Sequence, residues 1–211
     1  MLQSQLVISL KKCFILICCL LCHSILYSQN KSTILGIGTN VIDDTFTANY
    51  KPFNISEQWN VGKVPSYLSV SSELINRIYI GFSITTNEYK TGKLVNGTIV
   101  LKDKDYFAID LLANYQLLNP NNTTTSWSFF DPFITLGIGT TTLDAQEFKT
   151  VNYGFGFYIW FPKSRYCNCS LRSNEISNFG IVFSTLGKSS FNQNVHGNQI
   201  QHAVGLCYKL N

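Results

Sequence analysis

"RIYIGFSITT", residues 77–86, decides the fold. Ile78, Ile80, Phe82 and Ile84 alternate with Tyr79, Gly81, Ser83 and Thr85. An apolar residue at every second position is the period of a β-strand, whose side chains point to opposite faces in turn. One face here is greasy and the other small or polar. In a soluble sheet the greasy face is the core. In a membrane barrel the order inverts: lipid meets the apolar face and the polar face lines the interior.

The same alternation predicts seven more strands, at 33–41, 66–75, 105–118, 132–141, 149–161, 176–188 and 199–210. Their apolar faces carry Phe107, Ile109 and Leu111, Phe155 and Phe157, Ile181 and Phe183, and Val204 and Leu206. With Ile78, Ile80, Phe82 and Ile84, these are the expected lipid-facing residues. The opposite faces carry Gly36, Gly38, Gly81, Gly137, Gly139, Gly154, Gly156, Gly180 and Gly205. Small residues suit the inside of an eight-stranded barrel, which has room only for side chains. A solvent-facing sheet would carry Lys, Glu and Thr there, and a soluble ligand-binding barrel would be apolar inside. About nine to eleven residues cross a bilayer at barrel tilt, and closure removes the sheet edges that lipid does not tolerate. The fold class predicted is therefore all-β, an eight-stranded antiparallel up-and-down transmembrane β-barrel.

Composition agrees. Charged residues make up 13% of the 211 residues, against roughly 25% in ordinary soluble domains. Aromatics are abundant, at 15 Phe, 11 Tyr and 3 Trp. Without Lys11 and Lys12 the 16 basic residues become 14 against 12 acidic ones, a balance that gives no sign of nucleic-acid binding.

Lys11 and Lys12 precede "CFILICCLLCHSILY", residues 13–27, and then "SQN". A basic pair, a short apolar run and a small residue before the break are the parts of a secretion signal. Residues 1–28 are read as that signal and 29–211 as the barrel domain. A membrane anchor would need a longer run without His23 and Ser24. A lipid-modified cysteine would need a small residue before Cys22, where Leu21 stands. Beyond the signal the chain keeps Cys167, Cys169 and Cys207, an odd number that argues against a disulfide framework. No cofactor or metal site is expected.

Both termini of the barrel domain then lie in the periplasm, and connections 42–64, 87–104, 142–148 and 189–198 face outward. The first, rich in Lys, Asn and aromatics, is the expected contact surface for an extracellular partner. The connection at 75–77 is a tight inner turn. "NPNNTTTSWSFFD" and "PKSRYCNCSLRSNE" are longer than inner turns usually are. Tyr67, Tyr115, Trp127, Phe129, Phe130, Phe161, Tyr166 and Tyr208 fall near strand ends, as in interfacial girdles. Four Asn-x-Ser/Thr sites, at Asn54, Asn96, Asn122 and Asn168, are read as chance products of an Asn/Thr/Ser-rich chain.

"GIGTN" (36–40), "DYFAIDL" (105–111), "FDPFITLGIG" (130–139) and "QHAVGLCYKL" (201–210) occur in this order. Together they resemble the eight-stranded outer-membrane barrel of the OmpA-type N-terminal domain. The resemblance covers nearly all of the chain after the signal. It implies location in the outer membrane of a Gram-negative envelope, with lipid as surroundings and the barrel-assembly machinery as partner during biogenesis. It covers the barrel only and implies no peptidoglycan-binding domain. Members usually end on an aromatic residue that the assembly machinery reads, and here Tyr208 is the nearest one to Leu210 and Asn211.

No catalytic set stands out. His196 and His202 have no Ser or Asp partner at fixed spacing, and the chain is read as no enzyme. Glu73, Arg77, Asp110 and Lys209 fall on the polar face and are the candidates for an interior ion-pair cluster, because a charge inside a narrow barrel must be paired. The sequence thus points to a small barrel with a filled lumen and a structural, adhesive or surface-interaction role. Two alternatives remain open: a narrow porin, and a soluble secreted barrel binding a small ligand.

Overall fold

The computed structural model describes residues 31–43, 55–95, 98–118, 129–144, 146–162, 176–191 and 198–210. The segments carrying the expected signal, Cys167, Cys169, Trp127, Tyr166, His196 and the four Asn-x-Ser/Thr asparagines lie outside the described residues.

Eight long strands form the wall: β1 (Thr33–Asp43), β3 (Tyr67–Ile75), β4 (Ile78–Tyr89), β7 (Lys104–Gln116), β8 (Phe130–Leu143), β9 (Gln146–Pro162), β10 (Ile176–Ser190) and β11 (Gln199–Leu210). Each pairs antiparallel with its neighbours along the chain, and β11 returns to pair with β1 from Thr33↔Leu210 to Asp43↔Ile200. The sheet is closed, so its long edges are satisfied. All eight strands read from the sequence are present. No helix among the described residues is long and apolar enough to cross a membrane.

The two faces are inverted relative to a soluble protein. Inward stand Asn40, Ser83, Asp110, Asn114, Thr150, Asn152, Lys188 and Gln201, all buried. Outward stand Ile80, Phe82, Phe107, Ile109, Leu111, Phe155, Phe183, Val204 and Leu206, all exposed, with Phe155 at 62% and Leu206 at 60%. Ile78, Ile84, Phe157 and Ile181 share that outer face and are partly covered by neighbours. This outer belt is uneven. On β9 it runs from Val151 through Tyr153, Phe155, Phe157 and Ile159 to Phe161. On β1 only Leu35 and Ile37 stand between the outward Thr33 and Thr39. There the Thr33 and Ser72 hydroxyls meet at 3.0 Å.

The loops differ from expectation in three ways. The fifth connection is not a seven-residue loop: Leu143 pairs with Gln146, and Asp144 turns the chain at φ 46°. β9 starts early because Phe148 and Thr150 still point inward; their outward neighbours Glu147 and Lys149 are polar and hide the alternation. The first connection carries a short helix α1 (Ile55–Gln58) and a strand β2 (Trp59–Val61) that extends the wall beside β1. Three steps along β1, from Gly38 to Val41, correspond to six along the facing stave, from Tyr67 to Val61. The extra residues form a bulge around Gly62 and Ser66. The third connection folds back as a hairpin of β5 (Leu94–Val95) and β6 (Thr98–Ile99).

The tight turn expected at 75–77 is present: Arg77 is the second residue of the Asn76–Arg77 turn, with φ 72°, and the strand begins at Ile78. Its guanidinium caps the neighbouring stave, donating from Nε to Gln116 O at 3.0 Å and from Nη2 to Leu117 O at 2.5 Å, with Tyr115 beneath it.

Candidate functional site

The barrel interior and the loop assembly above it hold the polar chemistry of the described residues. Three layers stack along the axis. The first lies at the end where Thr33 and Leu210 meet. Ile34, Tyr79, Phe133, Tyr158, Trp160, Val182 and Cys207 form an apolar cluster there. Tyr158 stacks on Trp160 at 5.3 Å and lies 4.9 Å from the Phe133 ring. Gly156 makes room for it, since a Cβ there would lie 2.5 Å from Phe133 Cζ.

The middle layer is an ion pair. Asp110 on β7 and Lys188 on β10 have fully buried side chains. Lys188 Nζ donates to Asp110 Oδ1 at 2.8 Å and Oδ2 at 2.7 Å. Asn152 Nδ2 donates to Oδ1 at 2.7 Å and Ser83 Oγ to Oδ2 at 3.3 Å. Thr150 Oγ1 in turn holds Asn152 Oδ1 at 2.8 Å. The carboxylate therefore accepts four hydrogen bonds, its full capacity. Gly139, beside Asp110 in the register, is the space for this: a Cβ there would sit 2.1 Å from Asp110 Oδ1.

Within the expected cluster, Asp110 stands apart from the other three. The partner of Asp110 is Lys188, not Glu73, Arg77 or Lys209. Arg77 donates to the carbonyl oxygens of Gln116 and Leu117 at the end of the neighbouring strand, and Lys209 Nζ lies 6.0 Å over the Trp160 ring, both at the other end of the barrel. Glu73 is on the inward face of β3 at that same end. Lys188 was readable, since Val182, Ser184 and Leu186 share its parity on β10.

The third layer joins tyrosines and amides. Tyr89 OH donates to Gln199 Oε1 at 3.0 Å, Gln199 Nε2 donates to Tyr106 OH at 2.5 Å, and Gln201 Nε2 donates to Thr85 Oγ1 at 3.0 Å. Above it, Ile42, Tyr89, Tyr106 and Ala108 form one buried cluster with a residue from the β4–β7 connection, Val100. Val100 is 5% exposed, whereas its neighbours Ile99 and Leu101 are 61% and 88% exposed.

The rim is tied by asparagines. Asn40 Nδ2 donates to Ser66 O and Thr86 O at 2.9 and 2.8 Å, and Asn87 Nδ2 donates to Asn40 Oδ1 and Asn60 O at 2.7 and 2.9 Å. These bonds fasten the described part of the first loop, 55–64, to the wall; residues 44–54 lie outside the described residues. Asp103 accepts from Thr91 N at 2.7 Å and Thr91 Oγ1 at 2.6 Å, and pairs with Lys90 at 3.0 Å. The Thr91 hydroxyl, then its N–H and the Lys90 ammonium, hold the Asp103 carboxyl well below the usual carboxylate range. Glu88, followed by Asp103, raises the Lys90 ammonium above its ordinary value.

No protein-family model matches the chain, and no curated protein matches it. Among solved structures it is similar to the N-terminal β-barrel domain of Pseudomonas aeruginosa OprF, at 14% identity and TM-score 0.49, over 86% of this chain and 98% of that one. It is also similar to the outer membrane protein OprG of Pseudomonas aeruginosa, at 12% identity and TM-score 0.47, over 85% and 96%. The attachment invasion locus protein Ail of Yersinia pestis matches at 12% identity and TM-score 0.43, over 85% and 97%. The eight-stranded barrel implied by the sequence motifs is the fold observed.

His202 is outward on β11. Its ring lies 5.3 Å from Trp59 and its Nδ1 3.0 Å from Thr185 Oγ1. Cys207 is a free thiol packed inside the first layer. No group of three or more His, Cys, Asp or Glu suited to a metal occurs among the described residues.

Proposed function

We propose that this is a small integral outer-membrane barrel, secreted by the leader 1–28 and inserted by the barrel-assembly machinery. Its lumen is closed to solutes, and its role is carried by the loop end. One observation carries the reading: a closed sheet whose outer face is a belt of exposed Ile, Leu, Val and Phe and whose inner face holds a saturated ion pair. Exposed apolar area of that extent on every stave would drive aggregation in water and is satisfied by lipid.

The outward loops supply an interaction surface for envelope integrity, adhesion or an extracellular partner. What supports this is the fastening of residues 55–64 to the rim through Asn40, Asn60 and Asn87, which holds a connecting segment in one shape.

Gel mobility of the outer-membrane fraction, unboiled against boiled, tests the barrel. The expected result is protein in that fraction with a band that moves on boiling. Protein that stays soluble in the periplasm or medium, with no shift, overturns the reading and makes the outer belt a partner-covered surface. Planar-bilayer recording then tests the lumen: no steady conductance is expected, and a stable open level would favour the narrow porin.

A further inference from the structure

The stretch from Trp59 to Pro65, in the first connection, continues the outer wall of the barrel. β2 pairs with β1 through Val41↔Val61 and Asp43↔Trp59. Asn60, between them, is buried on the inward side. Its carbonyl accepts from Asn87 Nδ2 and its Oδ1 from Lys90 N, each at 2.9 Å. Trp59 and Val61 therefore face outward. The Trp59 ring lies 5.3 Å from the outward His202. Val61 is 67% exposed and Val64 79%. One register row of outward residues runs from Phe155 in the tall belt through Thr185, His202 and Val41 to Val61. The outer face of β2 is thus the next stave of the same surface.

A loop in water needs no particular pairing of its backbone. In lipid, every polar backbone group must be met within the protein. The bulge between β2 and β3 is met in that way at both ends. Gly62 N donates to Asn40 O at 2.7 Å, and Gly62 O accepts from Thr39 Oγ1 at 2.9 Å. Ser66 N donates to Gly38 O, and Ser66 O accepts from Asn40 Nδ2 and Thr86 N, all at 2.9 Å. Pro65 brings no N–H. The Thr39 hydroxyl, which interrupts the belt of β1, is taken up by the Gly62 carbonyl. Lys63, exposed, carries the only charge between Trp59 and Ser66.

We propose that Trp59, Val61 and Val64 dip into the outer leaflet and lengthen the lipid-facing belt on the short side of the barrel. Val61 and Val64 meet acyl chains. The Trp59 ring sits at headgroup level, where an aromatic with one polar edge is favoured. Lys63 extends its ammonium to an anionic headgroup. The outward side of residues 59–64 is then covered by membrane and closed to an extracellular partner. The inference rests on the reading of the outer belt as lipid-facing, and its test separates the two.

Nitroxide labels are placed on Val61→Cys, Phe155→Cys and Lys102→Cys, each with Cys167→Ser, Cys169→Ser and Cys207→Ala. Protein from the outer-membrane fraction is returned to vesicles of phosphatidylcholine and phosphatidylglycerol. Collisions with oxygen and with a water-soluble nickel chelate are read by power saturation. Phe155 is the lipid reference, and Lys102, exposed on the β4–β7 connection, is the water reference. The Val61 label is expected to follow Phe155, with nickel collisions about tenfold below those at Lys102, because a polar chelate is excluded from acyl chains. A Val61 label that follows Lys102 while Phe155 stays protected overturns the inference and leaves the belt standing. Nickel that reaches Phe155 as readily as Lys102 overturns the belt and the inference with it. Where a labelled variant gives no heat-shifted band, fluorescence of the parent and of Trp59→Phe decides. The component lost in Trp59→Phe is expected to be quenched by acyl-brominated lipid and spared by aqueous iodide; the reverse overturns the inference.

Discussion

The two halves of the barrel interior are lined by opposite chemistry. At the end where the barrel termini meet, rings pack against rings: Phe133, Tyr158 and Trp160 over the bare backbone of Gly156. Toward the loops the inward residues are Asp110, Lys188, Asn152 and Thr150, then Tyr89, Tyr106 and Gln199. The first half depends on shape, and losing an atom there leaves a gap. The second depends on mutual satisfaction, and losing a partner there leaves a stranded charge. The same narrow tube thus has two kinds of fragility.

Lys188→Met should break the contrast most sharply. It strands the Asp110 carboxylate where its side chain is fully buried, a loss of about 3–5 kcal/mol. Urea titration read by the heat-shifted band measures it. Asp110→Leu combined with Lys188→Met should cost less than Lys188→Met alone, because no charge is then left behind. A double variant worse than the single would show that the pair is held for its own attraction.

Phe133→Ala tests the other half. It should cost about 3 kcal/mol through the cavity it leaves, and no second polar substitution should rescue it. Gly139→Ala comes next. Its Cβ would crowd Asp110 Oδ1 at 2.1 Å, at a cost of about 1–3 kcal/mol. The same urea titration reads it, and the cost should shrink in an Asp110→Ala, Lys188→Met background, where nothing replaces the crowded oxygen.

The smallest effect lies outside the tube. Folding depresses the pKa of the Asp103 carboxyl. Such a group adds stability above its unfolded value, about 3.9, and loses it only as pH falls through the folded value. The Thr91 amide resonance, whose N–H bonds that carboxylate, should therefore stay flat from neutrality to about pH 4. A titration centred near about 4 would mean that Thr91 and Lys90 do not hold the Asp103 carboxylate.

The wall was legible because lipid-type exteriors advertise themselves: an apolar residue at every second position leaves few other readings. It stopped being legible where the outside turned polar. Glu147 and Lys149 alternate with the inward Phe148 and Thr150 as faithfully as Phe155 alternates with Gly156, yet nothing greasy marks them. Glu88 hides the end of β4 in the same way. Lys188 could have been found by counting parity from Val182. The burial of Val100 could not, since Ile99-Val100-Leu101 is three similar residues in a row, and only the fold chooses which one turns inward.

The uneven outer belt has a consequence for posture. On β9 the apolar residues run unbroken from Val151 to Phe161, while on β1 the belt shortens to Leu35, Ile37 and Val41 and is broken by Thr39. A cylinder with a tall greasy side and a short one cannot stand level in a slab of uniform thickness. In a bilayer it leans until both sides are covered, or thins the annular lipid beside β1 and β3. The hydroxyls of Thr33 and Ser72 would then mark a shallow dimple in the membrane at that side of the barrel.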